Sequence, residues 1–509
     1  MAEVALSFDL GSSALRGGAL DEDGETRAEA EMLFARQAAG AAEEVDPGLW
    51  WRAFAAVTAT LLDQVARRGD RAVGLAITGI TRTQVFLDTA GRPVRPAITW
   101  ADSRARRQAE ALAALREDRA DLPFWPQVGS LDGFHPLARI LWLRDEEPVA
   151  FASLARVVEP KDYLAARLTG TPACDAISMA RLLGQATEAA RQRLFAACGL
   201  PGDLLPPPQA PGREIGRIQA GLPAPFDRLA GLPVFLASLD TWCAVLGLGA
   251  LRPGLAYAIS GTTEVFGIMA TQAQDAEGLL TLRWLDEAGC PALYQIGGPS
   301  QVGIGSLLAV AAWLGLGESK PAALLARLEA LPRAESTPLF LPYLDGERVP
   351  HWNPDLRGAL FGLSAEQRPD DLLRSLVEGV ALGNRLALQR AIASGVEPPR
   401  ALHIGGGAAS SDLWCQTKAD ILQLPVLRGA AREAGLLGAA MLVFTGLGRH
   451  ASLDEAQTAL AKPAATFKPD PARAETFDAL YALFEKLQAA NSEASAGLAR
   501  LAAENRSEH

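Results

Sequence analysis

The chain has 509 residues, of which 49% are apolar and 21% charged, and its formal net charge is −11. This length predicts two or more domains, and the acidic balance argues against nucleic-acid binding, which needs basic surfaces. Five scattered cysteines without metal-site spacing predict a reduced, cytoplasmic protein. No apolar run reaches membrane-spanning length, and residues 1–13 lack the pattern of a signal peptide.

The first half of the chain begins with a predicted antiparallel meander of three short strands, joined by a turn at Asp21–Gly24. Proline near the start and apolar residues at helical spacing predict the long helix that follows. The elements expected after the turn signals are, in chain order, strands over 4–8, 14–20 and 25–34, a helix over 44–67, a strand over 72–78, a strand near 86–88 and a helix over 105–115.

The second half repeats this opening. Residues 201–225 are rich in proline and glycine and predict a surface connection. A strand over 232–237, a helix over 241–251 and a strand–turn–strand pattern around Ser260–Thr263 follow. Because a turn of small residues opens each half, we predict two related α/β domains with a boundary near residue 238.

The turn Asp9-Leu-Gly-Ser-Ser13, followed by Arg16, has the composition of a phosphate-binding bend. Gly11 allows close backbone approach, and Ser12 and Ser13 add hydroxyl donors beside exposed amides. It is not a P-loop, because Gly-Lys-Ser/Thr is missing and no helix is expected after it. An ordinary hairpin turn is the alternative.

Two further glycine motifs belong to the second half. Ser260-Gly-Thr-Thr263 is a hydroxyl-rich turn that, together with the first, could bind one triphosphate from the opposite side. Gly405-Gly-Gly-Ala408 lies between a predicted strand and a predicted helix, where glycines permit close contact with a base or ribose. Each of the two is also compatible with a simple loop.

Asp240 and the segment Trp100-Ala-Asp102-Ser-Arg104 are the candidates for chemistry on an acceptor. Asp240 follows a strand and precedes a helix, so it is either a helix N-cap or a general base that accepts a hydroxyl proton. An aromatic face beside charged groups suits a polyol. The alternative for Trp100 is a core residue beside a surface ion pair.

Together these motifs are similar to those of the FGGY carbohydrate kinase family, which includes xylulokinases, gluconokinases, ribulokinases and glycerol kinases. The resemblance runs from Phe8 to about Leu442, in matching order and spacing. The matching segments are FDLGSS (8–13), EVDPGLWW (44–51), GRPVRPAITWADSRA (91–105), PKDYLAARLTG (160–170), SLDTWCAVLGLGA (238–250), SGTTE (260–264), LPYLDGERVPHW (341–352), GALFGL…DLLRSLVEG (358–379), GGGAASSDLWCQTKADILQLPV (405–426) and EAGLLGAA (433–440).

The resemblance implies an α/β fold of two actin-like (ribonuclease H-like) ATPase domains with an interdomain cleft. It divides the chain into a sugar-binding domain over 1–237, an ATP-binding domain over 238–480 and a helix with a polar tail over 481–509. It implies ATP and Mg²⁺ as cofactors, Asp240 as catalytic base, and Asp9 with Asp240 near the metal. The residues implied for ATP binding are Gly11, Ser12, Ser13, Arg16, Gly261, Thr262, Thr263, Gly406, Gly407 and Ala408.

The acceptor side departs from the family pattern. Xylulokinases carry Gln-Met-His-Gly where this chain has Ile80-Thr-Arg-Thr83, and glycerol kinases carry an Arg-Glu pair where only Arg82 is present. Arg82 is expected either to contact a carboxylate, phosphate or ring oxygen, or to pair with an acidic neighbour such as Asp102. The residues expected on the acceptor side are Thr81, Arg82, Trp100, Asp102, Asp240 and Thr241.

The sequence therefore predicts an ATP-dependent kinase for a hydroxyl of a small sugar or polyol, with a ketopentose such as xylulose as the first choice of acceptor. Gluconate, glycerol or a tetritol are the alternatives. An actin- or Hsp70-like nucleotide switch, or a catalytically silent sugar sensor, are the competing functions of other classes. A homodimer is expected by analogy with the family.

Overall fold

The computed structural model describes residues 1–34, 37–39, 42–119, 121–122, 131–179, 182, 188–285, 292–317 and 320–507. Cys290, one of the five cysteines, lies outside them. The other four, Cys174, Cys198, Cys243 and Cys415, are buried free thiols. In the part of the chain described, no helix combines the length and apolar character needed to cross a bilayer.

Strands and helices follow one another along both halves of the chain. The strands are β1 (Glu3–Leu10), β2 (Ala14–Asp21), β3 (Thr26–Leu33), β4 (Gln37–Ala39), β5 (Ala42–Val45), β6 (Arg71–Gly79), β7 (Val85–Leu87), β8 (Ala97–Ile98), β9 (Arg156–Val158), β10 (Cys174–Asp175), β11 (Pro208–Gln209), β12 (Glu214–Arg217), β13 (Pro233–Leu239), β14 (Ala256–Ser260), β15 (Glu264–Ala270), β16 (Leu280–Leu285), β17 (Leu293–Pro299), β18 (Leu339–Leu341), β19 (Ala359–Phe361), β20 (Leu402–Gly405), β21 (Val426–Gly429) and β22 (Pro463–Phe467). The helices are α1 (Pro47–Arg68), α2 (Arg106–Asp118), α3 (Pro136–Glu146), α4 (Pro148–Ala152), α5 (Pro160–Thr169), α6 (Glu188–Ala197), α7 (Asp240–Gly247), α8 (Ile304–Trp313), α9 (Pro321–Glu329), α10 (Pro369–Ala393), α11 (Asp412–Leu422), α12 (Ala434–Gly446), α13 (Leu453–Leu460) and α14 (Ala474–Ser507).

The chain divides into two compact units. The first unit comprises Met1–Gly247 and Gly435–Ala461, and the second comprises Leu248–Ala434 and Lys462–His509. Asp240 therefore belongs to the first unit by its contacts. The functional division predicted at residues 237 and 238 stays a prediction.

The first unit is built on a six-stranded sheet in the order β12-β13-β6-β1-β2-β3. β1, β6 and β13 run parallel to one another, and the remaining neighbours are antiparallel. β1 is central and mostly buried, whereas in β3 at the edge only Ala28 is buried and exposed residues recur at every second position from Glu29 to Leu33. The meander predicted from the sequence is confirmed.

Helices pack closely against this first sheet. A Cβ on Gly17 would lie 2.6 Å from Val57 of α1, so the absent side chain lets the helix approach β2. A Cβ on Gly74 of β6 would lie 2.6 Å from Val443 of α12. The second contact explains why residues 435–461 belong to the first unit.

The second unit has a seven-stranded sheet in the order β16-β17-β15-β14-β20-β21-β22. Here β14, β20 and β21 are the parallel strands. From β17 to β21 the order and directions repeat those from β3 to β13 in the first sheet, which supports the repeat predicted from the two turns. The next strand is antiparallel in both sheets, but β12 precedes β13 in the chain whereas β22 follows β21. α10 lies in the core of this unit, and most of its residues are buried.

Three expectations about elements are wrong in detail. The helix predicted from Glu44 begins at Pro47, because Asp46 caps it by accepting the Gly48 N–H at 2.8 Å, and Glu44 lies in β5. The connection over 201–225 contains β12, an edge strand of the first sheet. The helix with a polar tail expected over 481–509 is part of α14, which begins earlier, at Ala474, and includes the polar residues as far as Ser507.

Candidate active site

The first sheet brings three candidate segments to one edge, which we call the first-sheet edge. It is formed by the carboxyl ends of β1, β6 and β13, where Leu10 and Leu239 both pair with Gly79. The turn 11–13, the segment 80–82 and Asp240 follow these three strand ends directly. In open α/β sheets, ligands bind outside the carboxyl ends of parallel strands.

The turn after β1 connects to the segment that contains Trp100. The Gly11 N–H donates to the Ala14 carbonyl oxygen at 2.8 Å, and Ser13 is exposed. The indole Nε1–H of Trp100 donates to Ser12 Oγ at 3.0 Å. The predicted phosphate turn and the predicted acceptor aromatic therefore lie in direct contact within one unit.

Asp9 and Arg16 flank this turn on paired strands. A Cβ on Gly435 would lie 3.4 Å from Asp9 Oδ2, which places the carboxylate beside the start of α12. The positive end of the helix dipole favours a negative charge there. Arg16 forms a half-exposed ion pair with Glu31, 2.8 Å between Nε and Oε1, and its contact with ATP stays a prediction.

Asp240 is the first residue of α7. The backbone N–H of Thr241 donates to its Oδ1 at 2.6 Å, and the Thr241 hydroxyl lies 3.2 Å from the same oxygen. Burial raises the pKa of Asp240, and the Thr241 bonds and the positive charge of Arg82 oppose that rise. A carboxylate that starts a helix and whose pKa is raised is compatible with both roles considered from the sequence.

Arg82 has an unusual backbone conformation, with a φ of 59°. Its N–H donates to Glu159 Oε1 at 2.7 Å, and the Thr81 hydroxyl donates to the same oxygen at 2.8 Å. Burial lowers the pKa of Arg82, and the negative charges of nearby carboxylates oppose this; they belong to Asp132, Glu159 and Asp240.

Asp102 is fully buried and its carboxylate is engaged within the protein. Oδ2 accepts from the Glu43 N–H at 2.8 Å and from Arg104 at 2.6 Å, and Oδ1 accepts the Arg104 N–H at 3.0 Å. The expected pairing of Arg82 with Asp102 is wrong, because Arg104 takes that carboxylate. In this conformation Asp102 orients Arg104, and its contact with an acceptor stays a prediction.

The second sheet presents the turn 261–263 at the carboxyl end of β14. Thr262 and Thr263 are exposed. The carbonyls of Gly261 and Thr262 accept the N–H groups of Ile304 and Gly305 at 3.0 and 2.9 Å, which fixes the turn against the start of α8.

Buried charges support this turn from within the second unit. Glu264 accepts from the Ser260 hydroxyl at 2.6 Å and from Lys418 Nζ at 2.7 Å, and both charged residues are buried. Lys418 also donates to Asn384. Because Glu264 and Lys418 neutralise each other inside the unit, the turn 261–263 presents hydroxyls and backbone amides rather than charged groups.

The glycine segment 405–408 lies beside the same turn, because Ile259 and Gly405 pair at the ends of the parallel strands β14 and β20. Gly406 has a φ of 89°, and a Cβ there would lie 2.5 Å from the Ser260 carbonyl oxygen. Gly407 is exposed, with no atom within 4 Å of the position of a Cβ. Ala408 is buried. Two exposed glycines beside a hydroxyl-rich turn fit a nucleotide, whose base and ribose need close backbone approach.

A Mg²⁺ ion at this site would be held by protein carboxylates together with phosphate oxygens of the nucleotide. Among the residues that the structure describes, no three His, Cys, Asp or Glu side chains form a group able to hold a metal. Mg²⁺ typically keeps several waters and takes one or two carboxylates together with substrate phosphates. Asp9 and Asp240 fit that description as a pair of carboxylates.

Sequence reasoning missed three residues that organise these edges: Glu159, Arg139 and Lys418. Each is charged and buried, with partners far along the chain. Glu159 directly precedes the proline that begins α5, but nothing in that pattern indicates its partners.

Comparison with known proteins gives consistent matches over nearly the whole chain. The model for the N-terminal domain of the FGGY family of carbohydrate kinases matches residues 4–247, and that for the C-terminal domain matches residues 256–447. The chain is 30% identical over 498 residues to the xylulose kinase of Escherichia coli (strain K12), with 94% of this chain and 98% of the relative covered. It is 31% identical over 416 residues to the xylulose kinase of Streptomyces rubiginosus, with 78% and 80% covered.

Solved structures agree with these matches. The crystal structure of xylulose kinase from Rhodospirillum rubrum has a TM-score of 0.82 and 27% identity, and the match covers 97% of this chain and 99% of that one. The expected fold of two actin-like α/β domains is confirmed, and a kinase of this kind uses ATP. The chain belongs to the FGGY family of carbohydrate kinases and is a sugar kinase.

Proposed function

We propose that this kinase transfers the terminal phosphoryl group of Mg·ATP to a hydroxyl of a ketopentose, with xylulose as the preferred acceptor. One observation carries the proposal: the parallel strands β1, β6 and β13 deliver the turn 11–13, Arg82 and Asp240 to a single edge. The relatives named xylulose kinases support the choice of acceptor.

Asp240 acts as general base in this proposal. The acceptor hydroxyl gives its proton to the Asp240 carboxylate while its oxygen bonds to the terminal phosphorus of ATP. The bond from that phosphorus to the bridging oxygen of ADP breaks. Because burial raises the pKa of Asp240, the carboxylate is a stronger proton acceptor than an exposed one.

The remaining predicted residues bind and orient. Amides and hydroxyls of the turns 11–13 and 261–263 would hold phosphate oxygens, and the glycines at 406 and 407 would approach the nucleoside. Asp9 and Asp240 would hold Mg²⁺, which, when bound, neutralises negative charge on the phosphates. Trp100 and Arg82 would contact the acceptor. That the two turns meet in a shared cleft stays a prediction.

The test is a panel of acceptors in an ADP-release assay, with the phosphorylated product identified by NMR. It contains xylulose, ribulose, gluconate, glycerol, erythritol and a reaction without acceptor. The expected result is the highest kcat/KM with xylulose and little ADP release without acceptor. Preference for another member would reassign the substrate, and slow ATP turnover unaffected by all of them would favour a nucleotide switch.

The remaining properties rest on composition and resemblance. We propose a cytoplasmic homodimer that binds no nucleic acid, because the net charge is −11 and the family is often dimeric. Sedimentation velocity tests the dimer, and electrophoretic mobility with duplex DNA tests the second part.

A further inference from the structure

The segment 80–82 is held in a conformation that an arginine rarely adopts. The φ of 59° at Arg82 is in the left-handed region, which for a residue with a Cβ costs on the order of 1 kcal/mol or more. Such a conformation persists only where surrounding contacts impose it. Two buried side chains of the first unit supply these contacts.

Glu159 holds the segment from its N–H side. One oxygen, Oε1, accepts both the Arg82 N–H at 2.7 Å and the Thr81 hydroxyl at 2.8 Å. Glu159 is 4% exposed and lies directly before α5, so its backbone position is fixed by a helix start. The nearby Lys161 is bound to two other carboxylates, Asp162 at 2.6 Å and Asp175 at 2.7 Å.

Arg139 holds the same residue from its carbonyl side. It is completely buried on α3, and its guanidinium donates to the Arg82 carbonyl oxygen at 2.7 Å. The same group donates to the carbonyl oxygens of Trp100 at 3.0 Å and Asp102 at 2.8 Å. One side chain thus connects the segment 80–82 with the segment 100–102.

We propose that Glu159 and Arg139 are positioning residues that set acceptor specificity by holding the backbone of Arg82 in the left-handed conformation. The inference rests on the proposed function, in which Arg82 and Trp100 contact the acceptor. Both backbone polar groups of Arg82 are bonded, so these two contacts set the direction in which its Cα–Cβ bond leaves the chain. A site displaced by one ångström can lose a large part of its rate, so such supports matter.

The first test compares Glu159→Gln and Arg139→Lys with wild type. We expect the KM for the preferred acceptor to rise about tenfold or more while the KM for ATP changes less than about twofold. Arg139→Met should raise the acceptor KM more than Arg139→Lys does, because lysine keeps a charged hydrogen-bond donor at this position and methionine does not. An unchanged acceptor KM in both Glu159→Gln and Arg139→Lys would overturn the proposal.

The matched controls are buried groups of the second unit with the same chemistry. Glu378→Gln removes a buried carboxylate paired with Arg333, and Arg374→Lys changes a buried guanidinium that donates to the Leu328 and Leu331 carbonyls. Both should leave the acceptor KM unchanged. An equal rise in these controls would assign the effect to general destabilisation and refute a specific positioning role.

A double-mutant cycle asks whether Glu159 acts through Arg82. Glycine adopts a left-handed φ without strain. Arg82→Gly therefore removes the guanidinium and also the need for the contacts of Glu159 and Arg139 with residue 82, which we call the clamp. In that background Glu159→Gln should change the acceptor KM by less than about twofold, since the pair no longer couples. Equal effects of Glu159→Gln in both backgrounds would refute the mechanism.

A measurement independent of turnover separates the clamp from the proposed function. Hydrogen exchange of the peptide that contains residues 80–84 should be faster in Glu159→Leu than in wild type, because the Arg82 N–H loses its acceptor. Unchanged exchange would refute the proposed role of Glu159 in holding Arg82, whichever acceptor the enzyme phosphorylates. Absence of turnover with every acceptor of the panel would refute the proposed function instead.

Discussion

The two sheets share the order and directions of five strands but differ in what they present at the carboxyl ends of their parallel strands. At the first-sheet edge lie charged side chains, Asp9, Arg82 and Asp240, with Glu159 beneath them. At the corresponding edge of the second sheet, Glu264 is neutralised internally by Lys418. The turn there offers the exposed hydroxyls of Thr262 and Thr263.

One topology can thus serve two chemical tasks. Charged and titratable groups at a strand end suit proton transfer and recognition of a reacting group. Backbone amides, hydroxyls and glycines suit a ligand that must be held but not altered. This difference supports the proposal that the acceptor reacts at the first-sheet edge and that the nucleoside of ATP binds at the corresponding edge of the second sheet.

The largest effect should come from a substitution of a charged residue at the first-sheet edge. Asp240→Asn removes the proton acceptor while keeping the shape of the side chain, so kcat should fall by about a hundredfold to ten-thousandfold. Affinity for ATP without Mg²⁺, measured by calorimetry, should stay within about threefold of wild type, since Asp240 is also a proposed Mg²⁺ ligand. The control is Asp21→Asn, another aspartate whose side chain accepts backbone N–H groups beside a strand end. Undiminished kcat in Asp240→Asn would remove the assigned base.

The next largest effect, a loss of stability, is expected at the corresponding edge of the second sheet. Glu264→Gln leaves the Lys418 ammonium buried without its counter-charge, and breaking such a pair costs about 3–5 kcal/mol of unfolding free energy. Urea denaturation measures the loss. The comparison variant is Asp63→Asn, whose exposed pair with Arg228 should contribute less than about 1 kcal/mol. Equal losses in the two variants would show that burial of the pair is unimportant.

Two neighbouring glycines of the second edge give a sharper comparison. Gly406→Ala places a Cβ 2.5 Å from the Ser260 carbonyl at a φ of 89°, whereas alanine at Gly407 has no atom within 4 Å. We expect Gly406→Ala to lose roughly 1–3 kcal/mol of stability and to raise the KM for ATP, with the acceptor KM unchanged. Gly407→Ala should stay within about 0.5 kcal/mol. Similar stability of the two variants would contradict this account of the turn.

The last effect accumulates gradually with pH and differs between the units. Burial raises the pKa of Glu159 in the first unit from 4.5 to about 8, and that of Glu347 in the second from 4.5 to about 7. Between these values the folded protein holds protons that the unfolded chain has released, so the unfolding free energy falls as pH rises. Each group contributes a slope of at most about 1.4 kcal/mol per pH unit.

Substitution separates the two contributions. Urea denaturation across pH 5–9 should show that Glu159→Gln flattens the decline up to about pH 8. Glu347→Gln should flatten only the part that ends near pH 7, since Glu347 is then ionised in both states. A pH dependence identical to that of wild type in Glu159→Gln would show that this carboxyl is ionised in the folded protein at low pH.

Local patterns predicted much of the architecture. The meander of β1 to β3, the strand before Asp240 and the turns at 11–13 and 261–263 follow from runs of apolar residues punctuated by glycine and small polar residues. Such signals depend on the preferences of neighbouring residues in the chain. The predicted start of α1 was wrong by only a few positions for the same reason, since the nearby cap residue Asp46 sets it.

The amino-acid sequence predicted the fold class, the two related halves and the positions of the glycine and carboxylate motifs. Each is indicated by short local patterns of residues that recur along the chain. The folded structure was needed to show that Asp102 is enclosed by Arg104 and Glu43, that Arg139 and Glu159 fix Arg82, and that Lys418 neutralises Glu264. Apart from the Asp102–Arg104 pair, these partners lie dozens of positions apart along the chain. Burial and charge pairing at such separations arise from packing of whole elements, which no local pattern specifies.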